Sequence, residues 1–241
     1  MRWNTAISTR KDGEIYVRGQ ALADLMQKYT FPEAAFLLLG NRLPNKNELT
    51  LFNMLLVSCI EHGVEAPSAF SARVSASVGN PMNAAIAAGI LSTGDWHGGA
   101  IEQAAKYIQS KESAADIVGK TLKEGGQLSG FGHKVYKDKD PRAEMLLEYA
   151  EKLGVGDMEI KKARALGAEL KKQSGKSLAL NIDMAIAAVT SAFGFDWRLG
   201  KALFVFARMP GIIAHAHEEM VNEKPYRRID ESDVNYTGHA V

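Results

Sequence analysis

Residues Ser177–Phe195 read SLALNIDMAIAAVTSAFGF, the most apolar stretch of the chain, and Asn181 and Asp183 interrupt it. A carboxylate in the hydrocarbon of a bilayer is costly. The stretch is therefore expected to be a helix buried in a soluble protein, not a membrane span. Downstream, GKALFVFARMPGIIAHAHEEM (200–220) continues apolar. Upstream lie AIEQAAKYIQ (100–109), SAADIVGKTLKEG (113–125), DPRAEMLLEYAEKLG (140–154) and DMEIKKARALGAELKKQSG (157–175), all more charged and more amphipathic. Asp140 caps the third of these, with Pro141 at its first position.

Further out, the same punctuation recurs. Thr30 and Glu33 form a capping box before FPEAAFLLLG, and Asn45 and Glu48 form another before a run with Leu49, Phe52, Leu55, Leu56 and Cys59 at helical spacing. NPMNAAIAAGIL (80–91) is a helix capped by Asn80, with small residues that suit close pairing within a subunit or across a dimer. The only strand candidate is GEIYVRG (13–19), a short hairpin. The class expected is all-α. The composition contrast divides it into a large helical lobe, 1–99 with 176–241, and an inserted small helical lobe, 100–175.

The charge balance narrows the function classes. With 29 Lys and Arg against 28 Asp and Glu, the net charge is +1. There is no broad basic field to hold a nucleic acid, and cationic chemistry must be local, as in Lys134, Lys137, Lys139 and Arg142. Cys59 is the only cysteine and sits in an apolar run, so neither an internal disulfide nor a cysteine-based metal cluster can form. The N-terminal MRWNTAISTR lacks the apolar core of a secretory signal, and a cytoplasmic location is expected.

Four points carry chemistry: His62 in EHGVEA, His97 in GDWHGGA, His133 in GFGHKV and Asp183 in LNIDMA. Each histidine stands beside glycine at a break between helices, where backbone can approach a ligand, although a histidine that merely finishes a helix end fits the same pattern. Metal binding is not favoured: no two of these histidines are four apart on one helix, and His215 and His217, two apart, point to different faces. Nor does any serine or cysteine stand in a nucleophile turn. Imidazoles with a buried carboxylate suit proton transfer at a carbonyl, one group serving carbon, another oxygen, and a third the enolate oxygen. Burial of Asp183 in an apolar helix favours its neutral form.

Taken in order, EIYVRGQALADLMQKYTFPEAAFLLLGNRLPNKNEL (14–49), SARVSASVGNPMNAAIAAGILSTGDWHGGAIEQA (71–104), GFGHKVYKDKDPRAEML (130–146), NIDMAIAAV (181–189) and ARMPGIIAHAHEE (207–219) resemble the citrate synthase superfamily. One departure is informative: a single helix joins LPNKNEL to EHGVEA, where a full citrate synthase has a long additional segment. That compact form resembles the citryl-CoA lyase module, stand-alone or as the C-terminal part of ATP-citrate lyase.

The resemblance implies a citrate-synthase-like fold with the active site in the cleft between the lobes, and 100–175 as the coenzyme A lobe. It implies cleavage of citryl-CoA to acetyl-CoA and oxaloacetate. His62 would hold the citryl portion, His97 would bond the thioester oxygen, His133 would accept the carbinol proton, and Asp183 would protonate the carbon. Arg142, Arg208 and Arg227 would hold substrate carboxylates, Arg227 in the neighbouring subunit's site, with Arg228 as its substitute. Guanidinium forks suit carboxylates. Gly130, Phe131 and Gly132 would let the loop meet the coenzyme, with Lys134 and Lys137 at its phosphates. Lys134 replaces an arginine present in some lyase modules. No tightly bound cofactor is implied: coenzyme A enters as part of substrate and product. A homodimer or higher even oligomer is expected, and a citryl-CoA synthetase partner is compatible. Two alternatives remain open at this point: a short condensing or cleaving enzyme for another acyl-CoA and 2-oxo acid, and a non-catalytic CoA-binding subunit.

Overall fold

The computed structural model describes residues 2–133, 136 and 138–239. The chain opens with β1 (Ser8–Lys11), β2 (Glu14–Val17) and β3 (Gln20–Ala21), an antiparallel sheet in the order β1-β2-β3. Ser8 pairs with Val17 and Tyr16 with Ala21. Both turns have two residues at positive φ, Asp12 (53°) with Gly13 (82°) and Arg18 (49°) with Gly19 (81°), the backbone that matches strand twist in tight hairpins. The expected hairpin over 13–19 is thus the middle of a small three-stranded sheet.

Helices dominate the rest, as the all-α reading requires: α1 (Leu22–Lys28), α2 (Phe31–Gly40), α3 (Lys46–Ser58), α4 (Pro67–Ser77), α5 (Met82–Leu91), α6 (Ala100–Gln109), α7 (Ala114–Lys123), α8 (Pro141–Lys152), α9 (Asp157–Ser174), α10 (Ile182–Ala192) and α11 (Leu199–Asn222). The capping signals place the starts. Asn45 Oδ1 accepts from Glu48 N at 3.0 Å while Asn45 N donates back to Glu48 Oε2 at 2.8 Å. At α2, the Glu33 carboxylate accepts from both Thr30 N and Thr30 Oγ1 at 2.7 Å. The cap of α5 is Pro81 rather than the expected Asn80. No helix among the described residues is long and apolar enough to cross a membrane.

The chain packs as two compact units, Met1–Cys59 with Gly98–Ala207, and Ile60–His97 with Arg208–Val241. In the first, α10 is the central rod: α6, α8 and α9 all pack on it. Met184, Ala185, Ala187 and Ala188 are wholly buried and Ile186 and Val189 nearly so, which explains why this helix is apolar around its whole circumference. Phe36, Phe52, Phe193 and Phe195 form an aromatic cluster, with Phe36 and Phe195 centred 4.8 Å apart. Full burial of a ring such as Phe36 contributes about 2–3 kcal/mol.

In the second unit, α4 and α5 pack on each other through small residues. Ala72, Ala76 and Ala85 form a core with Ile212 and Ala216. A Cβ at Gly89 would lie 2.8 Å from Ile212 Cγ2 and 2.9 Å from the Ser68 carbonyl, so glycine is required for that approach.

These units differ from the lobes drawn from composition, 100–175 against 1–99 and 176–241. Residues 100–175 group with α10, because α6, α8 and α9 turn their apolar stripes onto it.

Candidate active site

The first unit gathers His133, Arg142 and Asp183. Asn181 is the hub that builds this corner. Its side chain caps α10, accepting from Asp183 N (3.1 Å) and Met184 N (3.4 Å), and donates through Nδ2 to Gly132 O at 2.9 Å. Its backbone N donates to Gly130 O at 3.0 Å, and Gly132 N donates to Ala179 O at 2.7 Å, so 130–132 lies antiparallel to 179–181 with Phe131 opposite Leu180. Both glycines have positive φ, 89° and 86°. At Gly130 a Cβ would also meet Met184 Cβ at 2.7 Å. The physical demand on Gly130 thus comes from α10. Phe131 lies against Gly167, where a Cβ would meet its ring at 2.9 Å.

His133 follows directly. Its Nδ1 accepts from Tyr136 N at 3.1 Å and its ring stacks on Tyr136 at 4.8 Å. A backbone N–H can only donate, so the neutral ring carries its hydrogen on Nε2. Arg142 Nη2 lies 3.4 Å from that same nitrogen and also only donates. In this tautomer the approach is a contact of charge with ring rather than a hydrogen bond. The arrangement is that of a hydrogen-bond donor; acceptance of a carbinol proton at Nε2 requires release of the Tyr136 contact.

Arg142 is fixed by Asp140, which is completely buried. Oδ1 accepts from Arg142 N and Nε, both at 3.1 Å; Oδ2 accepts from Arg142 Nη2 at 2.9 Å and from Ile182 N at 3.1 Å. Burial alone would raise the Asp140 carboxyl, but the Arg142 hydrogen bonds and charge outweigh it and hold it below its ordinary range. Asp183, at the second position of α10 and partly buried, behaves in the opposite way. Desolvation pushes it up to about 6, Arg142 opposing and Asp140 assisting. Two carboxyls on neighbouring helix starts are therefore driven apart, one firmly ionised and one able to carry a proton near neutrality.

The second unit holds His62, His97, Arg208 and Arg227. His97 Nε2 lies 2.9 Å from Ser68 Oγ, a wholly buried hydroxyl near the start of α4. Desolvation first, then the charges of Arg208 and His62, lower its pKa and favour the neutral imidazole. Arg208 is wholly buried. His62 is exposed, in a turn organised by Glu61, whose Oε1 accepts from His62 N (2.9 Å) and Gly63 N (2.7 Å) and meets His215 Nε2 at 3.1 Å.

Arg227 is held within its own chain, pairing with Glu219 through Nε at 2.6 Å and with Glu223 at 3.4 Å. Glu219 also takes Arg73 Nε at 2.8 Å, and Arg73 pairs further with Glu218. The predicted cofactor contacts Lys134 and Lys137 lie outside the described residues.

Sequence reasoning missed Ser68, Glu61, and the pairing of Arg73 with Glu219, and it took Asp140 for a helix cap alone. Arg73 left a signal, a single charge within the small-residue run SARVSAS. A lone serine after Pro67 left none. No group of three His, Cys, Asp or Glu able to hold a metal occurs among the described residues.

The chain as a whole matches a known family. Residues 49–229 match the citrate synthase C-terminal domain, and the chain belongs to the citrate synthase family. The structure of citryl-CoA lyase from Hydrogenobacter thermophilus superimposes with a TM-score of 0.93 at 44% identity, covering 99% of this chain and 96% of that one. Citrate synthase from the thermophilic archaeon Thermoplasma acidophilum, in ternary complex with carboxymethyl coenzyme A and oxaloacetate, gives a TM-score of 0.68 at 26% identity, covering 88% of this chain and 58% of that one. Among sequences, 2-methylcitrate synthase of Shewanella oneidensis is 32% identical over 197 residues, 79% of this chain and 52% of that protein. The chain spans about half the length of the curated relatives it matches.

Proposed function

We propose that this chain is a citryl-CoA lyase, cleaving citryl-CoA to acetyl-CoA and oxaloacetate by acid–base catalysis. The observation that carries the reading is Asp183, a carboxyl held to about 6 close to the charge of Arg142, in the same unit as His133. Such a group can give a proton to carbon and take it back near neutral pH. Likeness along nearly the whole chain to a citryl-CoA lyase supports the cleaving direction over the condensing one.

In the step proposed, the carbinol proton leaves toward His133 once its Tyr136 contact is released. The carbon–carbon bond breaks, its electron pair moves to the thioester oxygen as an enolate, and Asp183 protonates the terminal carbon. Oxaloacetate and acetyl-CoA result, and solvent returns the exchanged proton. The neutral His97, steadied by Ser68, bonds the enolate oxygen, and a neutral imidazole serves as the donor. His62, Arg142 and Arg208 bind the citryl carboxylates. Arg227 does the same in a neighbouring subunit of a homodimer or higher even oligomer, after exchanging Glu219 and Glu223 for substrate.

Residues 100–175 supply the coenzyme contacts, with Gly130, Phe131 and Gly132 at the adenine and Lys134 and Lys137 at the phosphates; coenzyme A arrives with the substrate and leaves with the product. A cytoplasmic setting and a separate synthetase supplying citryl-CoA complete the proposal. The test is direct. Given citryl-CoA, the protein should release oxaloacetate, measured by coupled reduction to malate. Release of free citrate instead identifies a thioester-hydrolysing synthase and overturns the lyase reading.

A further inference from the structure

We propose that Asp140 is a positioning residue of this site: one buried carboxylate fixes the Arg142 guanidinium beside His133 and ties the first turn of α8 to the first turn of α10, which carries Asp183. An ordinary N-cap needs one oxygen and one backbone N–H, and it sits well in solvent. Asn45 and Ser113 follow that pattern, exposed and serving the first turn of their own helix. Asp140 departs from it in three ways. It is wholly buried; it takes two N–H groups on one edge of a guanidinium besides the backbone N–H it caps; and its fourth bond crosses to Ile182 N on another helix.

Taking a carboxylate out of water is unfavourable unless its lone pairs are filled, and four donors on two oxygens do so here. An arginine side chain has several rotatable bonds. Anchoring both its Nε and Nη2 sets the plane of the guanidinium and, with it, the approach of Nη2 to His133 Nε2. Asp140 acts on Asp183 as well. Arg142 and Asp140, both on or at the start of α8, are the charges that bear on it, with opposite sign. One residue thus places the cation and offsets its pull on the neighbouring acid.

The catalytic part of this inference rests on the lyase reading; the positioning part does not, and the experiment separates them. Asp140→Asn keeps the size and a capping oxygen but removes the charge. Asp140→Ser keeps a good cap and removes the fork. Both variants should fold and bind coenzyme A like the parent, while kcat/KM for citryl-CoA falls about a hundred-fold. The Asp183 carboxyl, followed by carbon-13 NMR, should titrate at lower pH, since Arg142 then acts on it unopposed. Wild-type kinetics in Asp140→Ser, or an unmoved Asp183 titration, would reduce Asp140 to a cap and overturn the inference. Should both variants fail to fold, the parent protein decides: the Arg142 Nε–H resonance, assigned through Arg142→Lys, should exchange slowly, and exchange as fast as that of exposed arginines overturns the anchoring. A parent that leaves citryl-CoA intact refutes the lyase reading alone, since both NMR measurements stand without turnover.

Discussion

Replacing Asp183 with Asn should abolish most turnover and at the same time stabilise the fold, by an amount that depends on pH in a defined direction. The Asp183 carboxyl is raised from 3.8 to about 6 in the folded chain, chiefly by desolvation. Between those values the unfolded chain has released this proton while the folded chain still holds it. Stability contributed by this group is therefore fully present below pH 3.8 and is lost as pH rises through 6. At ~1.4 kcal/mol per pH unit, the loss approaches about 3 kcal/mol at neutrality. Asparagine does not titrate and suffers no such loss. Urea unfolding of both proteins from about pH 4 to pH 7 should show the variant's advantage growing through this window and levelling off above it. Turnover should fall by about a hundred-fold or more, with coenzyme A affinity retained. A stability difference that does not change with pH would refute the claim that a proton is held on Asp183 near neutrality, and with it the basis for its acid role.

Gly130→Ala should cost about 2 kcal/mol or more in urea unfolding, because the position combines a φ of 89° with a Cβ placed 2.7 Å from Met184 Cβ. A variant as stable as the parent would mean that the 130–132 segment is not held against α10. Ser68→Ala removes the 2.9 Å partner of His97 Nε2 and should lower kcat about ten-fold while leaving coenzyme A affinity within two-fold; an unchanged kcat would show that Ser68 does not steady the imidazole.

The fold was legible where local chemistry and burial agree. The run through 184–189 is apolar throughout because that part of α10 is buried on every side, and Asn45 with Glu48 announced α3 because both halves of their capping box form. The unit boundary was not legible, and the reason is physical. Composition separates charged helices from apolar ones, but α6, α8 and α9 are amphipathic: their charges face outward and their stripes of Ile101, Leu146 and Leu166 bury in the same core as α10. A change from charged to apolar sequence therefore does not by itself mark where one packed unit ends.

The same reasoning separates what the sequence reveals of the site from what it hides. Histidines beside glycines mark places where backbone turns sharply, and an acid in an apolar helix marks desolvation; both are properties of a residue and its immediate neighbours. Asp140 is different, because three of its four bonds are made by one arginine two residues on, which local reading scores as a cap, and the fourth reaches Ile182, forty-two positions away. Asp140 also bears on Asp183, raising its carboxyl. Arg142 draws that carboxyl toward its ionised form, against desolvation, which drives it more strongly the other way. With the Arg142 charge matched by a carboxylate held below its ordinary range, desolvation prevails at Asp183. An acid able to donate near pH 6 is thus raised chiefly by its own burial and assisted by a second acid that does not donate at all.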